Sequence, residues 1–226
     1  MIDVVIAGIT GRMGKELQLI AQSESVKVLG GLSRSNPSLK AMIAAVARPQ
    51  AVIDFSLPGA TTALLHECRE LKIPLVSGVT GYSSEQLAEL KAASREIPVL
   101  HSSNMSLGIQ MLAKALEALK GADGFDLVIE EVHHRHKKDR PSGTALLLRD
   151  ELRERTGREP VEIVSLRGGG VIGDHRVMAM SESEVLTFQH TALNRTVFAR
   201  GACRAARWLV GQKAGLYSLR DVLESH

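Results

Sequence analysis

The sequence predicts an α/β protein in which a doubly wound parallel sheet is followed by an α+β part with a mixed or antiparallel sheet. Two observations support this prediction. Before Asn104, short β-branched segments alternate with segments of helical periodicity, which is typical of right-handed βαβ units. After Asn104, strands with strict apolar–polar alternation follow one another across glycine-rich turns, which is typical of a sheet with one face open to water.

The first part is predicted to hold five strands and the helices between them. The predicted strands are 3–7, 26–32, 51–54, 73–77 and 97–101. The predicted helices are 11–21, 61–71 and 83–95. Ser83 and Gln86 have the spacing of a capping box, and Pro58-Gly59 forms a turn before the helix that starts at Thr61.

The second part is predicted to begin with a helix that runs from an N-cap at Ser106 to Lys120. The elements that follow are a strand over 127–132, a polar loop over 133–142, a helix over 143–156, strands over 161–166, 176–180 and 184–191, and a helix over 196–211. Gly121 and Gly157 stand where the first two of these helices should end.

The composition favours a folded protein and argues against some functions. Hydrophobic residues make up 44% of the chain, which is enough apolar surface to offset the entropy lost on folding, so disorder is not expected. The net charge of +3 suits an anionic ligand but is too small to predict nucleic-acid binding. Only 3% of the residues are aromatic, so the core should consist of Val, Ile, Leu and Ala.

Two further features predict a cytoplasmic protein that does not bind membranes. Cys68 and Cys203 lie in apolar, helix-like segments and are predicted to be buried free thiols rather than a disulfide or metal ligands. The first strand begins directly at Ile2 without a leader-like segment, and no apolar run has the length of a membrane span.

A glycine-rich turn over 8–14 follows the first strand and opens a helix. Glycines there allow the backbone to approach a diphosphate, and the helix N-terminus offers N–H groups and the positive end of its dipole. The spacing is GxxGxxG rather than the commoner GxGxxG, and a turn needed only for packing is the alternative interpretation. The turn predicts a Rossmann-like dinucleotide-binding domain with the cofactor-binding residues Gly8, Ile9, Thr10, Gly11, Arg12 and Met13.

Ser33-Arg34 follows the second strand, where an acidic residue would bind the ribose hydroxyls of NAD. A guanidinium at this point can pair with a 2′-phosphate. Arg34, together with Arg12, therefore predicts that NADPH is accepted, with or without NADH. The alternative is that Arg34 is only solvated, and equal use of the two cofactors would favour it.

The segment 130–144 places three histidines and four cations between a strand and a helix. A metal site is one interpretation, but no HExxH or CxxC motif accompanies it. A nucleic-acid patch is another, but no aromatic residue is interleaved for base stacking. A solvated basic loop would explain neither the histidines nor the Pro-Ser-Gly-Thr turn. An anionic-substrate site explains both, because Lys and His supply charge and protons while Ser142-Gly143-Thr144 offers N–H groups to a carboxylate.

His133-His134-Arg135-His136-Lys137, followed by residues 141–146, resembles the signature of the 4-hydroxy-tetrahydrodipicolinate reductase family. The other segments that resemble the family are 8–14, 54–56, 78–81, 103–106, 165–169, 173–175, 198–202, 208–209 and 215–217. They span nearly the whole chain in the family's order. The His-rich signature is highly specific, whereas the glycine turn alone is not.

The resemblance implies a reductase that uses NADPH or NADH to convert a cyclic dicarboxylate, derived from 4-hydroxy-tetrahydrodipicolinate, to tetrahydrodipicolinate in diaminopimelate and lysine biosynthesis. It implies that His133 or Lys137 donates the proton. It implies that His134, with Gly143 and Thr144, binds a substrate carboxylate. The further cofactor-binding residues that it implies are Gly78, Val79, Thr80, Ser102, Ser103, Asn104 and Met105.

The resemblance also implies a domain organisation and an oligomeric state. Residues 1–106 and 202–226 would form the dinucleotide-binding domain, and residues 107–201 a substrate-binding and oligomerisation domain. The family suggests a homotetramer that forms through the sheet of the second domain. No metal and no nucleic acid are expected.

The chain departs from the family pattern in three places, none of which lies in the His-rich loop. The segment between Arg34 and Ala51 is short, Leu57 stands where relatives often carry a basic residue, and Ser33 replaces an acid. Two other functions stay open on the residues alone. Another Rossmann-type oxidoreductase, such as an aspartate dehydrogenase, would not explain the His-rich loop. A dinucleotide-sensing or nucleic-acid-binding protein would bind NAD(P)H without turning it over.

Overall fold

Two compact units make up the fold. The computed structural model describes residues 1–160 and 162–225. One unit contains residues 1–105 and the C-terminal segment from Thr196, and the other contains Ser106–Arg195. The sequence placed the second boundary at 201/202, but it lies at Thr196, because residues 196–201 begin a helix that packs on strands of the first unit.

The described residues form ten strands and eight α-helices. The strands are β1 (Ile2–Ala7), β2 (Val26–Leu32), β3 (Ala51–Asp54), β4 (Leu75–Ser77), β5 (Pro98–His101), β6 (Asp126–His133), β7 (Glu162–Arg167), β8 (Asp174–Met180), β9 (Val185–Thr191) and β10 (Gly215–Tyr217). The helices are α1 (Arg12–Ile20), α2 (Leu39–Ala45), α3 (Pro58–Leu71), α4 (Ser84–Ala93), α5 (Leu107–Ala115), α6 (Gly143–Thr156), α7 (Thr196–Leu209) and α8 (Leu219–Glu224).

The first unit is built on a six-stranded parallel sheet with the strand order β10-β5-β4-β3-β1-β2. Val4, Val5 and Ile6 of β1 are fully buried, as are all four residues of β3, because both faces of the sheet are covered. This burial explains why these strands read as unbroken apolar runs. The predicted doubly wound parallel sheet is therefore confirmed, and β10 adds a sixth strand that the sequence did not predict.

The second unit has a mixed four-stranded sheet with the order β7-β6-β8-β9. Strand β6 pairs parallel with β7 and antiparallel with β8, and β8 pairs antiparallel with β9. Alternate residues of β6 are buried, and Leu127 and Ile129 pack in one apolar cluster with residues of α5 and α6. The two buried positions that follow are Glu131 and His133, so the covered face becomes polar at the carboxyl end of β6.

Local signals placed most helix ends correctly. Ser83 and Gln86 form the predicted capping box, and the Ser106 hydroxyl accepts from the Ile109 N–H at 3.3 Å. Gly157 ends α6 in the left-handed conformation, as predicted. Beyond Ala115 the helix tightens to a 3-10 turn over Leu116–Leu119.

Several elements differ from the prediction. Helix α2 lies in the short segment after Arg34, where no helix was predicted, because its seven residues give too little periodicity to recognise. Helix α8 was also missed. His133 ends strand β6 instead of beginning a loop. Strand β7 begins at Glu162, and the predicted start at Val161 lies outside the described residues.

Cys68 and Cys203 are buried free thiols, as predicted. Burial raises the pKa of both, that of Cys203 to about 12, so neither is poised to react as a thiolate. Over residues 1–160 and 162–225, no helix combines the length and the hydropathy that a membrane span needs.

Candidate cofactor and substrate sites

A cavity of about 790 Å³ opens in the first unit where β1, β2 and β3 end. Its lining residues are Ala7, Gly8, Thr10, Gly11, Leu32, Ser33, Arg34, Ser35, Pro37, Phe55, Ser56, Leu57, Ala60, Ala63 and Leu64. Four of the predicted cofactor residues, Gly8, Thr10, Gly11 and Arg34, thus meet in one cavity. It lies at the carboxyl ends of parallel strands, which is where open α/β sheets bind their ligands.

The glycine-rich segment 8–14 leaves no room for a side chain at two of its glycines. Gly8 has φ +79°, and a Cβ there would lie 2.7 Å from the Phe55 carbonyl oxygen. A Cβ on Gly14 would lie 2.4 Å from the Gly8 carbonyl oxygen. Packing alone therefore requires glycine at both positions, as the alternative interpretation proposed. Gly11, with a nearest contact of 3.1 Å, is the glycine that packing requires least, and it borders the cavity.

The N-terminus of α1 has the charge pattern of an anion site. The first N–H groups of a helix have no partner within the helix, and the dipole places positive potential there. Arg12 and Lys15 add two cations to this first turn, and it contains no acid to offset them. An isolated helix would be destabilised by this arrangement, whereas a bound diphosphate would complete it. The residues present therefore fit a dinucleotide cofactor.

A buried hydrogen-bond network fixes the turn after β3 that lines the same cavity. Asp54 accepts from the N–H and hydroxyl of Ser56 at 2.8 and 2.6 Å, and from the Thr61 hydroxyl at 2.7 Å. Burial raises the pKa of Asp54, and these hydrogen bonds oppose that rise. Leu57, at the end of this turn, is 59% exposed and lines the cavity.

The remaining predicted cofactor residues lie at the same edge of the sheet but do not line this cavity. Gly78, Val79 and Thr80 follow β4, and the residues from Ser102 to Met105 follow β5. The loop after β4 is anchored by the Gly78 N–H, which donates to the Asp54 carbonyl at 2.9 Å. In the loop after β5, the Ser102 hydroxyl donates to the Asn104 carbonyl at 2.8 Å. Ile9, Arg12 and Met13 also lie outside the cavity lining.

In the second unit, His133 lies at the buried end of β6. Its Nδ1 is hydrogen-bonded to the Glu131 carboxylate. The His175 ring stands nearly perpendicular to it, with the ring centres 5.0 Å apart. Burial lowers the pKa of His133, and Glu131 opposes that shift. Burial and the neighbouring His133 lower the pKa of His175 to about 3, so His175 stays neutral near pH 7.

Glu131 and Arg167 form a buried ion pair behind His133. Two N–H groups of Arg167 donate to the two Glu131 carboxylate oxygens at 2.8 and 2.7 Å. The Ser142 N–H donates to Glu131 at 3.2 Å. Glu131, Arg167 and His175 were not predicted as site residues from the sequence. A carboxylate at a core position of an alternating strand was the available signal for Glu131, but the other two depend on the pairing of β6 with β7 and β8.

The other predicted substrate residues follow on the loop and at the start of α6. The Lys137 ammonium pairs with Asp139 at 2.9 Å, and the Lys137 N–H donates to the His134 carbonyl at 3.1 Å. Asp139 thus places an anion beside the predicted catalytic lysine. Ser142 caps α6 by accepting from the Ala145 N–H. Gly143 is exposed at the first position of the helix, where a backbone N–H has no partner within the helix.

The arrangement can bind anions and transfer protons. Cations, a histidine with an oriented ring and an open helix N-terminus lie within one strand–loop–helix segment of the second unit. Within residues 1–160 and 162–225, no cluster of three or more His, Cys, Asp or Glu side chains could hold a metal ion.

The fold and the turn together define a dinucleotide-binding protein of the Rossmann type with an appended α+β unit. Comparison with known families is more specific. A model described as dihydrodipicolinate reductase, N-terminus, matches residues 2–105, and one described as dihydrodipicolinate reductase, C-terminus, matches residues 105–223. The chain belongs to the dihydrodipicolinate reductase family, whose members are oxidoreductases that use NADH or NADPH.

Individual relatives agree over their full lengths. The 4-hydroxy-tetrahydrodipicolinate reductase of Bdellovibrio bacteriovorus is 45% identical, covering 98% of this chain and 96% of the relative. That of Caldanaerobacter subterraneus is 37% identical, covering 99% of each. The dipicolinate-bound dihydrodipicolinate reductase of Paenisporosarcina has the same fold, with a TM-score of 0.81 at 22% identity over 98% of this chain and 99% of that one. The resemblance stated from the sequence is thus confirmed.

Proposed function

We propose that this protein is a 4-hydroxy-tetrahydrodipicolinate reductase that uses NADPH or NADH to form tetrahydrodipicolinate in diaminopimelate and lysine biosynthesis. The observation that carries the proposal is the segment from His133 to Thr144, which combines an oriented histidine, a lysine and an open helix N-terminus in the family's His-rich signature. Residues 1–106 and 202–226 serve the dinucleotide, and residues 196–201 join them because they belong to the same helix, α7. The rest of 107–201 serves the substrate and oligomerisation.

His133 donates the proton that the reduced ring requires. When bound, the reduced nicotinamide supplies the hydride. His133 is suited to proton donation because Glu131 accepts from Nδ1 and fixes the ring, which is the arrangement that orients catalytic histidines elsewhere. Lys137 supplies positive charge to the same site, where negative charge has to be stabilised.

The substrate is a dicarboxylate, so each of its two carboxylates needs its own set of cationic or N–H donors. His134 binds one carboxylate together with Gly143 and Thr144 at the N-terminus of α6. The support for this assignment is the exposure of Gly143 and the 14-residue length of the helix, whose dipole favours an anion at this end.

The cofactor is held at the carboxyl edge of the parallel sheet. The diphosphate is bound by the turn from Gly8 to Met13, which includes Ile9, Thr10, Gly11 and Arg12. The nicotinamide side is bound by two loops. Their residues are Gly78, Val79, Thr80, Ser102, Ser103, Asn104 and Met105.

A coupled assay tests the reaction directly. The preceding synthase would make the substrate in situ from pyruvate and aspartate semialdehyde, and loss of the absorbance of NADPH or NADH would be followed. We expect oxidation that depends on both precursors and that dipicolinate inhibits competitively, because dipicolinate copies the ring and both carboxylates. A protein that binds NADPH but oxidises neither cofactor would instead be a dinucleotide sensor or another oxidoreductase.

Arg34 recognises the 2′-phosphate of NADPH. Its exposed side chain borders the cavity, beside Ser33 and Ser35. Because a charge-assisted hydrogen bond contributes about 1.5–3 kcal/mol, Arg34→Ala should raise the KM for NADPH by about 10- to 100-fold. The KM for NADH, measured on the same preparation, is the internal control and should change little. Equal increases in the KM for NADPH and for NADH would show that Arg34 does not bind the 2′-phosphate.

The protein is a cytoplasmic homotetramer. The support for oligomerisation through the second unit is that β9 lies at an edge of its sheet and exposes Val185 and Leu186 by 59% and 46%. An unprotected apolar edge strand favours pairing with another chain. Sedimentation equilibrium would give the mass, and a monomer at micromolar concentration would contradict this assignment.

A further inference from the structure

The Glu131 carboxylate is fully buried, yet each of its oxygens accepts hydrogen bonds from charged or backbone donors. One oxygen accepts from Arg167 and from His133 Nδ1, and the other accepts from Arg167 and the Ser142 N–H. Strand pairing produces this arrangement: His133 lies opposite Arg167 on β7, and Glu131 lies opposite His175 on β8. Strands β6 and β7 and the cap of α6 therefore each supply a donor to one carboxylate.

Stability alone is a poor explanation for this arrangement. Desolvation of two buried charges offsets much of their attraction, and apolar residues of similar volume often stabilise a core equally well. A buried ion pair with a bidentate geometry does, however, hold its partners in one orientation. The third partner here is His133.

We propose that Glu131 is a positioning residue that keeps a proton on Nδ1 of His133, so that protonated His133 transfers its other proton, the one on Nε2, to the substrate and is left as the Nδ1–H tautomer. In the same proposal, Arg167 keeps Glu131 ionised. This inference rests on the proposed function, in which His133 is the proton donor. The Arg167 pair matters because a protonated Glu131 would accept from Nδ1 only weakly and would lose the negative charge that favours protonated His133.

The charges around His133 support these roles. Burial would raise the pKa of Glu131, but the hydrogen bonds from Arg167, with those of Ser165 and His133, hold it at about 2. Glu131 is therefore ionised wherever the enzyme works. The other groups that face His133 are Lys137 on the loop, Arg167 on β7 and His175 on β8. Both cations oppose protonation of His133, so Glu131 is the anion that favours it.

Gly173 keeps the Nε2 side of His133 uncrowded. A Cβ on Gly173 would lie 3.2 Å from His133 Nε2 and 3.4 Å from the His175 ring. With Nδ1 held by Glu131, Nε2 is the nitrogen left to exchange a proton.

Nitrogen-15 NMR of the histidine rings tests the proposal without turnover. In the wild-type protein we expect neutral His133 to be the Nδ1–H tautomer, with the signal assigned from a His133→Asn variant. In Glu131→Gln we expect the Nε2–H tautomer to gain population and the pKa of His133 to fall. An Nε2–H tautomer in the wild-type protein would overturn the proposal. The wild-type spectrum is decisive by itself, because His133→Asn is needed only to assign the signal.

Kinetics give the second readout. Glu131→Gln should lower kcat by about 10²-fold or more, the contribution of a positioned general acid, while the KM for the dicarboxylate stays near wild type because Glu131 is inaccessible. Glu131→Gln leaves Arg167 as an unpaired buried cation, which can prevent folding. In that case the double variant Glu131→Gln/Arg167→Met, which removes this cation, takes its place and should show the same loss of kcat. Glu130→Gln, which removes the neighbouring carboxylate paired with Arg176 on the other face of β6, is the matched control.

A double-mutant cycle separates this proposal from the proposed function. If Glu131 acts through His133, then Glu131→Gln/His133→Asn should be no slower than His133→Asn alone. Additive losses would show a structural role for Glu131 and overturn the proposal. If His133→Asn has a low kcat but Glu131→Gln keeps the wild-type kcat, only the positioning role of Glu131 is overturned. Wild-type kcat in His133→Asn would overturn the donor role of His133 in the proposed function, and the positioning role with it.

Discussion

Replacing Lys137 by alanine is expected to lower kcat by about 10²–10³-fold, the usual loss when a group that stabilises developing charge is removed. The dissociation constant of NADPH should stay near wild type, because Lys137 lies in the second unit, whereas the cavity lined by the predicted cofactor residues lies in the first. Turnover in the coupled assay and fluorescence titration with NADPH would give the two quantities on one preparation.

Two variants sharpen this test. Lys138→Ala removes the adjacent exposed lysine and should leave kcat unchanged. Lys137→Arg keeps the positive charge but cannot release a proton near neutrality, so it should recover a large part of kcat if charge is what Lys137 contributes. An arginine variant as slow as the alanine variant would move the donor role from His133 to Lys137. Near-wild-type turnover in Lys137→Ala would remove Lys137 from the mechanism.

Local sequence signals predicted the parts of the site that are local in the chain. The glycine turn over 8–14 and the Ser-Gly-Thr start of α6 are recognisable because a turn and a helix N-terminus are each set by a few adjacent residues. The four central strands, β1, β3, β4 and β5, were found for a similar reason, since burial on both faces makes them largely continuous apolar runs. Helix α2 was missed because a seven-residue helix shows hardly two turns of periodicity.

The network behind His133 could not be predicted in this way. Glu131 and Arg167 are 36 residues apart, and they meet only because β6 and β7 pair in one register. A shift of one residue would turn the Arg167 side chain to the other face of the sheet. The resemblance to a family implied residues that would face the substrate, not those that hold them in place. The residue types were therefore readable from the sequence, whereas the long-range strand pairing that brings Glu131 and Arg167 together was not.

The same limit applies to Gly201, whose importance only the packing of the first unit reveals. In the interior of a helix such as α7, alanine is ordinarily about 0.5–1 kcal/mol more stable than glycine. A Cβ on Gly201, however, would lie 1.7 Å from the Met105 carbonyl oxygen, and a backbone atom cannot move aside as a side chain can. Gly201→Ala should therefore destabilise the protein by about 3 kcal/mol or more, at the upper end of overpacking costs.

Urea unfolding of Gly201→Ala and of a matched control would measure this effect. Gly59 lies exposed in helix α3, and a Cβ on it would meet nothing within 4 Å, so Gly59→Ala should be neutral or slightly stabilising. Because Met105 ends the loop after β5, a Gly201→Ala protein that still folds should also bind NADPH more weakly, whereas Gly59→Ala should not. Equal unfolding midpoints for the two variants would mean that α7 can shift away from Met105, and the loop after β5 would then be less rigidly supported than its close packing on Gly201 indicates.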